Sequence, residues 1–378
     1  MKTIIGITKG IKTPITGVIT SKSRHLWNRK NYVLLSHSAT KSPIGYAATI
    51  SLEPPADIGN QKFIKVSNIT EFKDGDVVTI YPSGRIIFNY EISSDHNAIF
   101  ATGRCNHRCI MCPQPPVIKE ESLTPFNLFL ISLFDKSTKE VGITGGEPTL
   151  IGDDLFVLIN AIKRNLPKSG ISILTNGVKF SDEQYAFKLS RCKHPNLQID
   201  IPIFSDIANE HNAIVGANTF YKTVKGLYNL ALYKQHIGIR IVIHKLTYKR
   251  LPQLAEFIYH NFPFVSQVAF MQMETIGYAE ENIERLWIDP SDYNEELSKA
   301  IEILEMRGLN PYIYNAQLCV LPPHLRRFAV QSISDWKDIY LDQCHGCNLK
   351  GQCGGFFAAN RKYISKKISP VKSSCGIK

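Results

Sequence analysis

The sequence predicts an α/β fold in which helices cover a parallel sheet, with a β-rich domain before it and a cysteine-bearing extension after it. Short β-branched runs fill residues 1–95, apolar runs alternate with helical patterns over 96–309, and the alternation stops in 310–378. Near-continuous apolar strands separated by helices are typical of a parallel sheet that is buried on both faces. The sheet is therefore either an open doubly wound sheet or a partial (β/α)6 barrel of TIM type.

The N-terminal domain is predicted from apolar runs that turn residues separate. The runs are YVLLSH, GYAATISL, KFIKVS, DVVTIYP and RIIFNYE, and the turns between them include SPIG and KDGD. We expect a small barrel or sandwich without a catalytic cluster.

The core alternates strand-like runs with helix-period segments. The strands are HNAIFATG, EVGITG, ISILTN, LQIDIPIF, GIRIVIH and QVAFMQM. The helices lie near 124–135, 152–165, 181–190, 218–235, 250–261 and 292–307. Parallel α/β folds bind ligands at the C-terminal ends of their strands. RCNHRCIMC follows the first strand and TGGEPT follows the second, so both motifs are expected in one active site.

Composition limits the classes of protein that this chain can be. The 378 residues contain no apolar run long enough to span a membrane, and the N-terminal apolar patch is too short for a signal peptide. We therefore expect a cytoplasmic protein. Nine cysteines in such a chain indicate metal binding or catalysis rather than disulfides.

The positive charge is concentrated at the two ends of the chain. Residues 1–50 hold eight Lys and Arg and no acid, residues 343–378 hold seven and no acid, and the net charge is +11. Such ends either attract an anionic partner or simply keep the surface solvated.

Cys105, Cys109 and Cys112 read C-x3-C-x2-C. Thiolates bind soft metals and iron–sulfur clusters, and a closed tetrahedral site needs four ligands. Three ligands therefore predict a metal centre with one open position. A zinc site is the alternative, with His107 as a possible ligand, although the tight loop makes joint ligation awkward.

The three cysteines, followed by GGEPT after the next strand, resemble the radical S-adenosylmethionine (SAM) superfamily. The resemblance implies a partial (β/α)6 radical SAM barrel and a [4Fe–4S] cluster whose open iron binds SAM. It also implies an enzyme that reductively cleaves SAM to a 5′-deoxyadenosyl radical, with no catalytic side chain beyond the cluster and SAM. The residues that it implies near SAM are Met111 by the adenine and, by the methionyl amine, Gly145, Gly146, Glu147 and Pro148.

Three further strand ends are implied to contact the SAM ribose and carboxylate. They carry Asn176 in LTNG, Ser205 in IPIFSD and His244 in IRIVIHK. An ordinary turn is the alternative for Asn176, and a structural histidine is the alternative for His244 and for His211.

A second cysteine group, CHGCNLKGQC, lies in the C-terminal extension and predicts a metal-binding knuckle. Cys344, Cys347 and Cys353 resemble the SPASM or twitch module of peptide-modifying radical SAM enzymes, but Phe357 stands where that module has its next cysteine. The resemblance implies one auxiliary [4Fe–4S] cluster. Its fourth ligand is either Cys319 or Cys375, and a structural zinc or a set of unliganded cysteines are the alternatives.

Longer stretches, among them LCVLPPHLRRFAVQSISDWK, resemble the HxsC family of His-Xaa-Ser system radical SAM maturases. That resemblance implies modification of a ribosomally synthesised peptide. The implied partners are a small peptide with His-Xaa-Ser repeats, a second radical SAM protein and an electron donor, with no membrane and no nucleic acid.

Two other functions stay open. Modification of RNA would suit the positive charge, but no RNA-binding module is recognisable in the sequence. The other is a non-catalytic iron–sulfur scaffold that acts beside a second radical SAM protein. Such a scaffold would not need Cys105, Cys109, Cys112 and Glu147, so their presence argues against it.

Overall fold

The computed structural model describes residues 2–36, 44–53, 62–331, 338–357 and 362–372. Contacts divide the chain into two units. The first comprises Met1–Phe100, Leu123–Gly142 and Val157–Gly170, and the second comprises Ala101–Ser122, Ile143–Phe156 and Ile171–Lys378. The described helices include none with the length and apolar character that crossing a membrane requires.

The N-terminal residues form a mixed eight-stranded sheet in the order β1-β8-β7-β3-β4-β5-β6-β2. Its strands are β1 (Thr3–Ile5), β2 (Ile7–Lys9), β3 (Ile15–Thr20), β4 (Tyr32–Ser36), β5 (Ala48–Ser51), β6 (Phe63–Lys65), β7 (Val77–Ile80) and β8 (Arg85–Tyr90). The strands β4 to β8 coincide with the apolar runs of the sequence. The first three strands were not predicted, because β1 and β2 are only three residues long and β3 lies between turn residues.

This sheet closes on itself through its first two strands. β1 pairs with β8 and β2 pairs with β6, so the two occupy opposite edges of the sheet although only Gly6 separates them. The Gly6 N–H donates to Gly84 O at 2.8 Å, and a Cβ on Gly6 would overlap the Lys65 carbonyl. Glycine is thus required where the chain passes from one edge to the other. Closure surrounds an apolar interior that includes Ile19, Val33, Ile50, Ile64, Ile80 and Ile86.

Strands β9 to β16 form a curled parallel half-barrel sheet, the second of the two arrangements that the sequence left open for the core. In spatial order it runs from β16 back to β9, and its strands are β9 (His96–Phe100), β10 (Glu140–Thr144), β11 (Gly170–Leu174), β12 (Leu197–Pro202), β13 (His236–Ile243), β14 (Gln267–Gln272), β15 (Pro311–Tyr314) and β16 (Ala329–Val330). The core strands predicted from the sequence are all present. The last two were not predicted because they are short and no helical pattern separates them.

The helices alternate with these strands as the periodicity predicts. They are α1 (Thr124–Leu133), α2 (Asp154–Asn165), α3 (Glu183–Ser190), α4 (Ala208–Val215), α5 (Phe220–Leu232), α6 (Leu251–Asn261), α7 (Tyr278–Glu281), α8 (Ile283–Leu286) and α9 (Asn294–Met306). Helices α4, α7 and α8 could not be predicted from the sequence, because segments of eight and four residues show too little periodicity.

A small antiparallel ribbon lies in the C-terminal extension. It pairs β17 (Asp338–Ile339) with β18 (Phe356–Phe357). The ribbon closes the base of a loop, and that loop contains Cys344, Cys347 and Cys353.

Candidate metal and cofactor site

The loop that carries the first three cysteines follows β9 and is held by the end of α4. Arg108 N–H donates to Val215 O at 2.9 Å, and Ile110 N–H donates to Ile214 O at 3.0 Å. Gly216 ends α4 in a left-handed conformation, with φ of 66°, and a Cβ there would crowd the Arg108 carbonyl. The cysteine loop therefore depends on a helix that the sequence analysis missed. Its one local signal was the glycine after an eight-residue segment.

A second segment, α7 with its preceding glycine, holds the other end of the same loop. Tyr278 N–H donates to Cys112 O at 2.9 Å, and Asn282 Nδ2 donates to Ile110 O at 3.2 Å. A Cβ on Gly277 would press on the carbonyls of Cys112 and Pro113. These contacts fix the backbone of the loop, while Cys112 Sγ donates to Gln114 O at 3.0 Å and Cys105 Sγ accepts from His107 N–H at 3.3 Å.

The thiols of Cys105, Cys109 and Cys112 are partly exposed and near enough to affect one another's ionisation. Burial is the main cause that raises the pKa of Cys105 to about 11 and that of Cys109 to about 12. The charges of neighbouring thiolates and of Glu147 add to both shifts. Burial also raises the pKa of Cys112. Without a cation the three sulfurs are therefore protonated at neutral pH, and binding a metal centre releases those protons.

The glycine loop after β10 packs directly against the chain that enters the cysteine loop. Gly146 N–H donates to Thr102 O at 2.7 Å, and Glu147 N–H donates to Arg104 O at 2.8 Å. Gly145 has φ of 149°, and a Cβ on either glycine would overlap these carbonyls. The two motifs are brought together because glycine lets the two backbones approach.

Glu147 is almost fully buried, with 1% of its surface exposed. Its Oε1 accepts from Thr149 N–H, from Thr149 Oγ1 and from Thr175 Oγ1, at 3.0, 2.6 and 2.6 Å. In the described residues its Oε2 accepts one hydrogen bond, from Asn176 N–H at 2.6 Å. Burial raises the pKa of Glu147, and the hydrogen bonds oppose that shift. The carboxylate is thus rigidly held and keeps acceptor capacity on one oxygen. Pro148 begins the short 3-10 turn that Glu147 caps.

Asn176 joins this carboxylate to the cysteine loop. Its Nδ2 donates to Asn106 Oδ1 at 2.6 Å, and Asn106 lies next to Cys105. Its Oδ1 accepts from Val178 N–H at 3.0 Å, so the side chain also shapes the turn after β11. The structure therefore brings Asn176 into the site, through a partner that the sequence analysis did not single out.

The other SAM-contact residues implied by the resemblance have varied surroundings. Met111 is buried in an apolar cluster with Phe204 and Met273. Ser205 Oγ donates to Glu210 Oε2 at 2.7 Å and accepts from Ile207 N–H, so it already serves the start of α4.

His107, His211 and His244 are all buried. His107 Nε2 lies 2.9 Å from Thr219 Oγ1. Nδ1 of His211 accepts from Phe204 N–H, and Nδ1 of His244 accepts from Leu246 N–H, while neither Nε2 has a hydrogen-bond partner among the described residues. Burial lowers the pKa of His107, His211 and His244 to about 4, so all three are neutral at pH 7.

The second cysteine group gathers in the C-terminal extension. Beyond the effect of burial, Cys353 and Cys344 charges raise the pKa of Cys319, and Cys344 and Cys347 charges raise that of Cys353. The four thiols are thus close enough to interact, and Cys347 Sγ accepts from Val371 N–H at 3.4 Å. The alternative fourth ligand, Cys375, lies outside the described residues.

Both cysteine groups suit an iron–sulfur cluster in donor chemistry. Each offers partly exposed thiols that interact electrostatically, and thiolates are the usual ligands of such clusters. The described residues contain no group of three or more His, Cys, Asp or Glu side chains placed to hold a single metal ion.

Comparisons with known proteins agree with this site. The sequence model of the Radical SAM superfamily matches residues 99–258. A GTP 3′,8-cyclase from Desulforamulus reducens is 31% identical over 121 residues, which cover 30% of this chain and 37% of the relative. The tungsten-containing aldehyde ferredoxin oxidoreductase cofactor-modifying protein of Pyrococcus furiosus is 30% identical over 172 residues, or 42% of this chain and 46% of the relative. The matches therefore span less than half the length of each of these two curated relatives.

Among solved structures, Streptococcus suis SuiB bound to S-adenosylmethionine aligns with a TM-score of 0.47 and 16% identity. The alignment covers 60% of this chain and 51% of that chain. The native anSMEcpe structure with bound AdoMet aligns with a TM-score of 0.45 and 19% identity, over 57% of this chain and 62% of that one.

Proposed function

We propose, on the premise that residues 99–258 are a radical SAM domain, that this chain is an enzyme that cleaves SAM reductively and modifies a ribosomally synthesised peptide. The observation that carries the first part is the link between the three-thiol loop and a buried carboxylate with spare acceptor capacity. When bound, the cluster would supply the electron that cleaves SAM to methionine and a 5′-deoxyadenosyl radical.

The chain's own residues then have defined tasks. Cys105, Cys109 and Cys112 would hold the cluster and leave one iron for SAM. Glu147 Oε2 would accept a hydrogen bond from the methionyl ammonium, and its charge would complement that cation. Asn176 would hold the Glu147 carboxylate in a fixed position relative to the cysteine loop. Met111 would lie against the adenine.

The C-terminal cysteines support the peptide assignment, because they resemble the auxiliary module of peptide-modifying radical SAM enzymes. Cys319, Cys344, Cys347 and Cys353 would hold one auxiliary [4Fe–4S] cluster, with zinc as the alternative. We further propose a small peptide with His-Xaa-Ser repeats as substrate, an electron donor and a second radical SAM protein as partners.

Anaerobic reconstitution tests the SAM chemistry. The reduced protein should convert SAM to 5′-deoxyadenosine, measured by liquid chromatography. A variant with alanine in place of Cys105, Cys109 and Cys112 should give none. A fully reconstituted wild-type protein that leaves SAM intact would contradict the assignment.

A nucleotide substrate is the second candidate function, since the curated relatives include GTP 3′,8-cyclases. One experiment distinguishes the two candidate functions. The reduced enzyme is incubated with SAM and either GTP or a synthetic His-Xaa-Ser repeat peptide, and products are analysed by mass spectrometry. A mass change of the peptide alone supports the proposal, and conversion of GTP alone supports the second candidate.

A further inference from the structure

A short 3-10 helix before β4 exposes large apolar side chains to solvent. It spans Leu26–Asn31, and Leu26 and Trp27 are 65% and 83% exposed. Ile44 is 79% exposed and adjoins them, because a Cβ on the next residue, Gly45, would lie only 3.9 Å from Leu26 Cδ2. Tryptophan is largely buried in most proteins, and contiguous exposed apolar side chains mark sites of interaction. This surface is therefore a candidate docking site.

A basic side chain lies beside each apolar side chain of this helix. Side chains three positions apart in a 3-10 helix lie over one another, which places Arg29 beside Leu26 and Lys30 beside Trp27. Arg29 also reaches Ile44, because its Nη1 donates to the Ile44 carbonyl at 2.8 Å. Apolar and positive groups thus alternate on one surface. We call it the Trp27 patch and define it as Arg24, Leu26, Trp27, Arg29, Lys30 and Ile44.

The two arginines of the Trp27 patch are held in place by aromatic rings and backbone carbonyls. Arg29 Nε donates to Arg24 O at 2.8 Å, and the Arg29 guanidinium lies over the Tyr46 ring at 5.1 Å. The Arg24 guanidinium lies over the Tyr32 ring at 4.7 Å. None of the ion pairs formed among the described residues includes a cation of the patch. These positive charges are therefore preorganised for a partner, which lowers the entropic cost of binding.

The charge of the region selects an acidic partner. Residues 1–50 contain eight Lys and Arg and no Asp or Glu. Asp74 comes near the start of the helix, but both its carboxylate oxygens accept hydrogen bonds from Ser21, from the N–H at 2.6 Å and from Oγ at 2.8 Å. An anionic group at the Trp27 patch would be attracted by several positive charges, and a cationic group would be repelled. The partner is therefore negatively charged.

The apolar side chains of the Trp27 patch distinguish a polypeptide from other anions. Single-stranded nucleic acids are bound by aromatic rings on which successive bases stack, and two of the three apolar side chains, Leu26 and Ile44, have no ring. Helices that lie in a membrane surface carry their apolar and basic residues on opposite faces, whereas here each apolar side chain lies beside a basic one. Trp and Arg are the residues enriched at the hot spots of protein interfaces.

We propose that the Trp27 patch binds an acidic segment of a partner polypeptide. Apolar side chains of that segment cover the Trp27 ring, and its carboxylates lie beside Arg29 and Lys30. The N-terminal domain thereby holds a partner protein through a surface that contains none of the cysteine motifs. This inference goes beyond the proposed function, since it requires neither the cluster nor SAM.

Fluorescence anisotropy tests the inference on the whole chain. The probe is a labelled peptide in which pairs of glutamates alternate with single leucines, and it should bind saturably. A peptide with glutamine in place of glutamate, and another with serine in place of leucine, should each bind at least about tenfold more weakly, because each lacks one of the two components. No saturable binding of the glutamate–leucine peptide would overturn the inference, and so would equal binding of either altered peptide.

Two pairs of variants assign the binding to the Trp27 patch. Trp27→Ser should weaken the glutamate–leucine peptide at least about tenfold, whereas Tyr221→Ser, which removes an exposed ring from α5, should change nothing. Lys30→Glu should also weaken binding, whereas Lys222→Glu makes the same change of net charge on the surface of α5 and should have little effect. All four positions are exposed, so the fold is retained. Unchanged affinity in both patch variants, or an equal loss in the controls, would overturn the inference.

Two competitors test the chemical class of the partner. They are a single-stranded DNA oligonucleotide with the same negative charge as the peptide, and vesicles of phosphatidylcholine with phosphatidylserine. Each should displace the labelled peptide at least about tenfold less effectively than the unlabelled peptide does. Equal displacement by the oligonucleotide would assign the patch to nucleic acid, and equal displacement by the vesicles would assign it to an anionic membrane. Either result would overturn the inference.

SAM cleavage keeps this inference separate from the proposed function. Trp27→Ser should cleave SAM at the wild-type rate, since it leaves the cysteine loop and Glu147 intact. If the peptide binds as expected and SAM is not cleaved, the proposed function fails and the inference stands. If SAM is cleaved and the peptide does not bind, the inference fails and the proposed function stands.

Discussion

The Asn176 side chain donates a 2.6 Å hydrogen bond to Asn106 Oδ1, and these two residues are 70 positions apart in the chain. The Asn176 backbone N–H also binds Glu147 Oε2. One residue at the end of β11 therefore determines the position of the buried carboxylate relative to the cysteine loop.

We expect Asn106→Ala and Asn176→Ala to show coupled effects on the metal-free protein. Each variant should lower the free energy of unfolding in urea by about 1–2 kcal/mol, since each leaves a polar partner unpaired. The double variant should lose about 1 kcal/mol less than the sum. Asn176→Ala combined with Asn261→Ala, whose side chain donates to the Phe257 carbonyl in its own helix, should be additive. Additivity in both pairs would show that the asparagine link is energetically irrelevant.

Glu147→Gln should reduce the affinity for SAM by at least about tenfold. The glutamine amide has no negative charge to attract the methionyl ammonium. Its NH2 group would also face N–H and O–H groups that now donate to the Glu147 carboxylate, and no hydrogen bond can form between two donors. Anaerobic equilibrium dialysis measures the affinity on reconstituted protein. Glu302→Gln, on the exposed side of α9, makes the same chemical change and should have no effect. Equal SAM affinities in the two variants would show that the Glu147 charge does not contribute to SAM binding.

His244 makes the stability depend on pH. Burial lowers its pKa from 6.5 to about 4, so the unfolded chain takes up a proton in this range while the native chain does not. The stabilisation is fully present above pH 6.5 and is lost as the pH falls towards 4, by about 2 kcal/mol at pH 5.

Urea unfolding of the metal-free protein at pH 7.5 and pH 5 measures this contribution. His244→Leu should lose about 2 kcal/mol less than the wild type between the two pH values. His260→Phe, at an exposed position of α6, should keep the wild-type difference. If His244→Leu loses as much stability as the wild type between these two pH values, the burial of His244 is not a cause of the pH dependence.

The C-terminal cysteines should retain metal when the first group is removed. The variant with alanine at Cys105, Cys109 and Cys112 should keep about four iron atoms per chain after anaerobic reconstitution, as one [4Fe–4S] cluster requires. An additional Cys319→Ala change should lower that content. Iron and zinc are measured by mass spectrometry. Zinc without iron would establish the structural-metal alternative, and no metal would contradict both.

Arg240 provides a test of stability away from the cysteines. Its guanidinium is partly buried and donates to Met271 Sδ at 3.1 and 3.2 Å, and burial lowers its pKa while the Asp200 charge opposes that shift. Arg240→Met should lower the free energy of unfolding by about 2 kcal/mol, because it removes the positive charge that acts on Asp200, whose Oδ1 keeps its hydrogen bonds from Gln198 Nε2 and Gln267 Nε2. Adding Asp200→Asn should restore part of that loss, and a further loss would show that the two residues do not interact.

The sequence predicted those parts of the molecule that local patterns determine. Strands β9 to β14 have strong apolar runs, and the motifs at Cys105 and Gly145 were recognised by their resemblance to those of a known family. The contacts that assemble the site were not predictable in this way. Asn106 with Asn176, and α4 with the cysteine loop, join distant segments, and no spacing rule relates them. The resemblance implied a SAM contact for Ser205, and that stays a prediction; the hydrogen bonds of its hydroxyl with Glu210 and Ile207 N–H could not be predicted from its position at a strand end.

The closure of the N-terminal sheet at Gly6 also has a kinetic consequence. Strands β1 and β2 are adjacent in the chain, yet β1 needs β8 and β2 needs β6 as partners. Pairings so distant in sequence carry a loop-closure cost and form slowly. Until β1 and β2 are in place, β8 and β6 have free edges that other chains can bind.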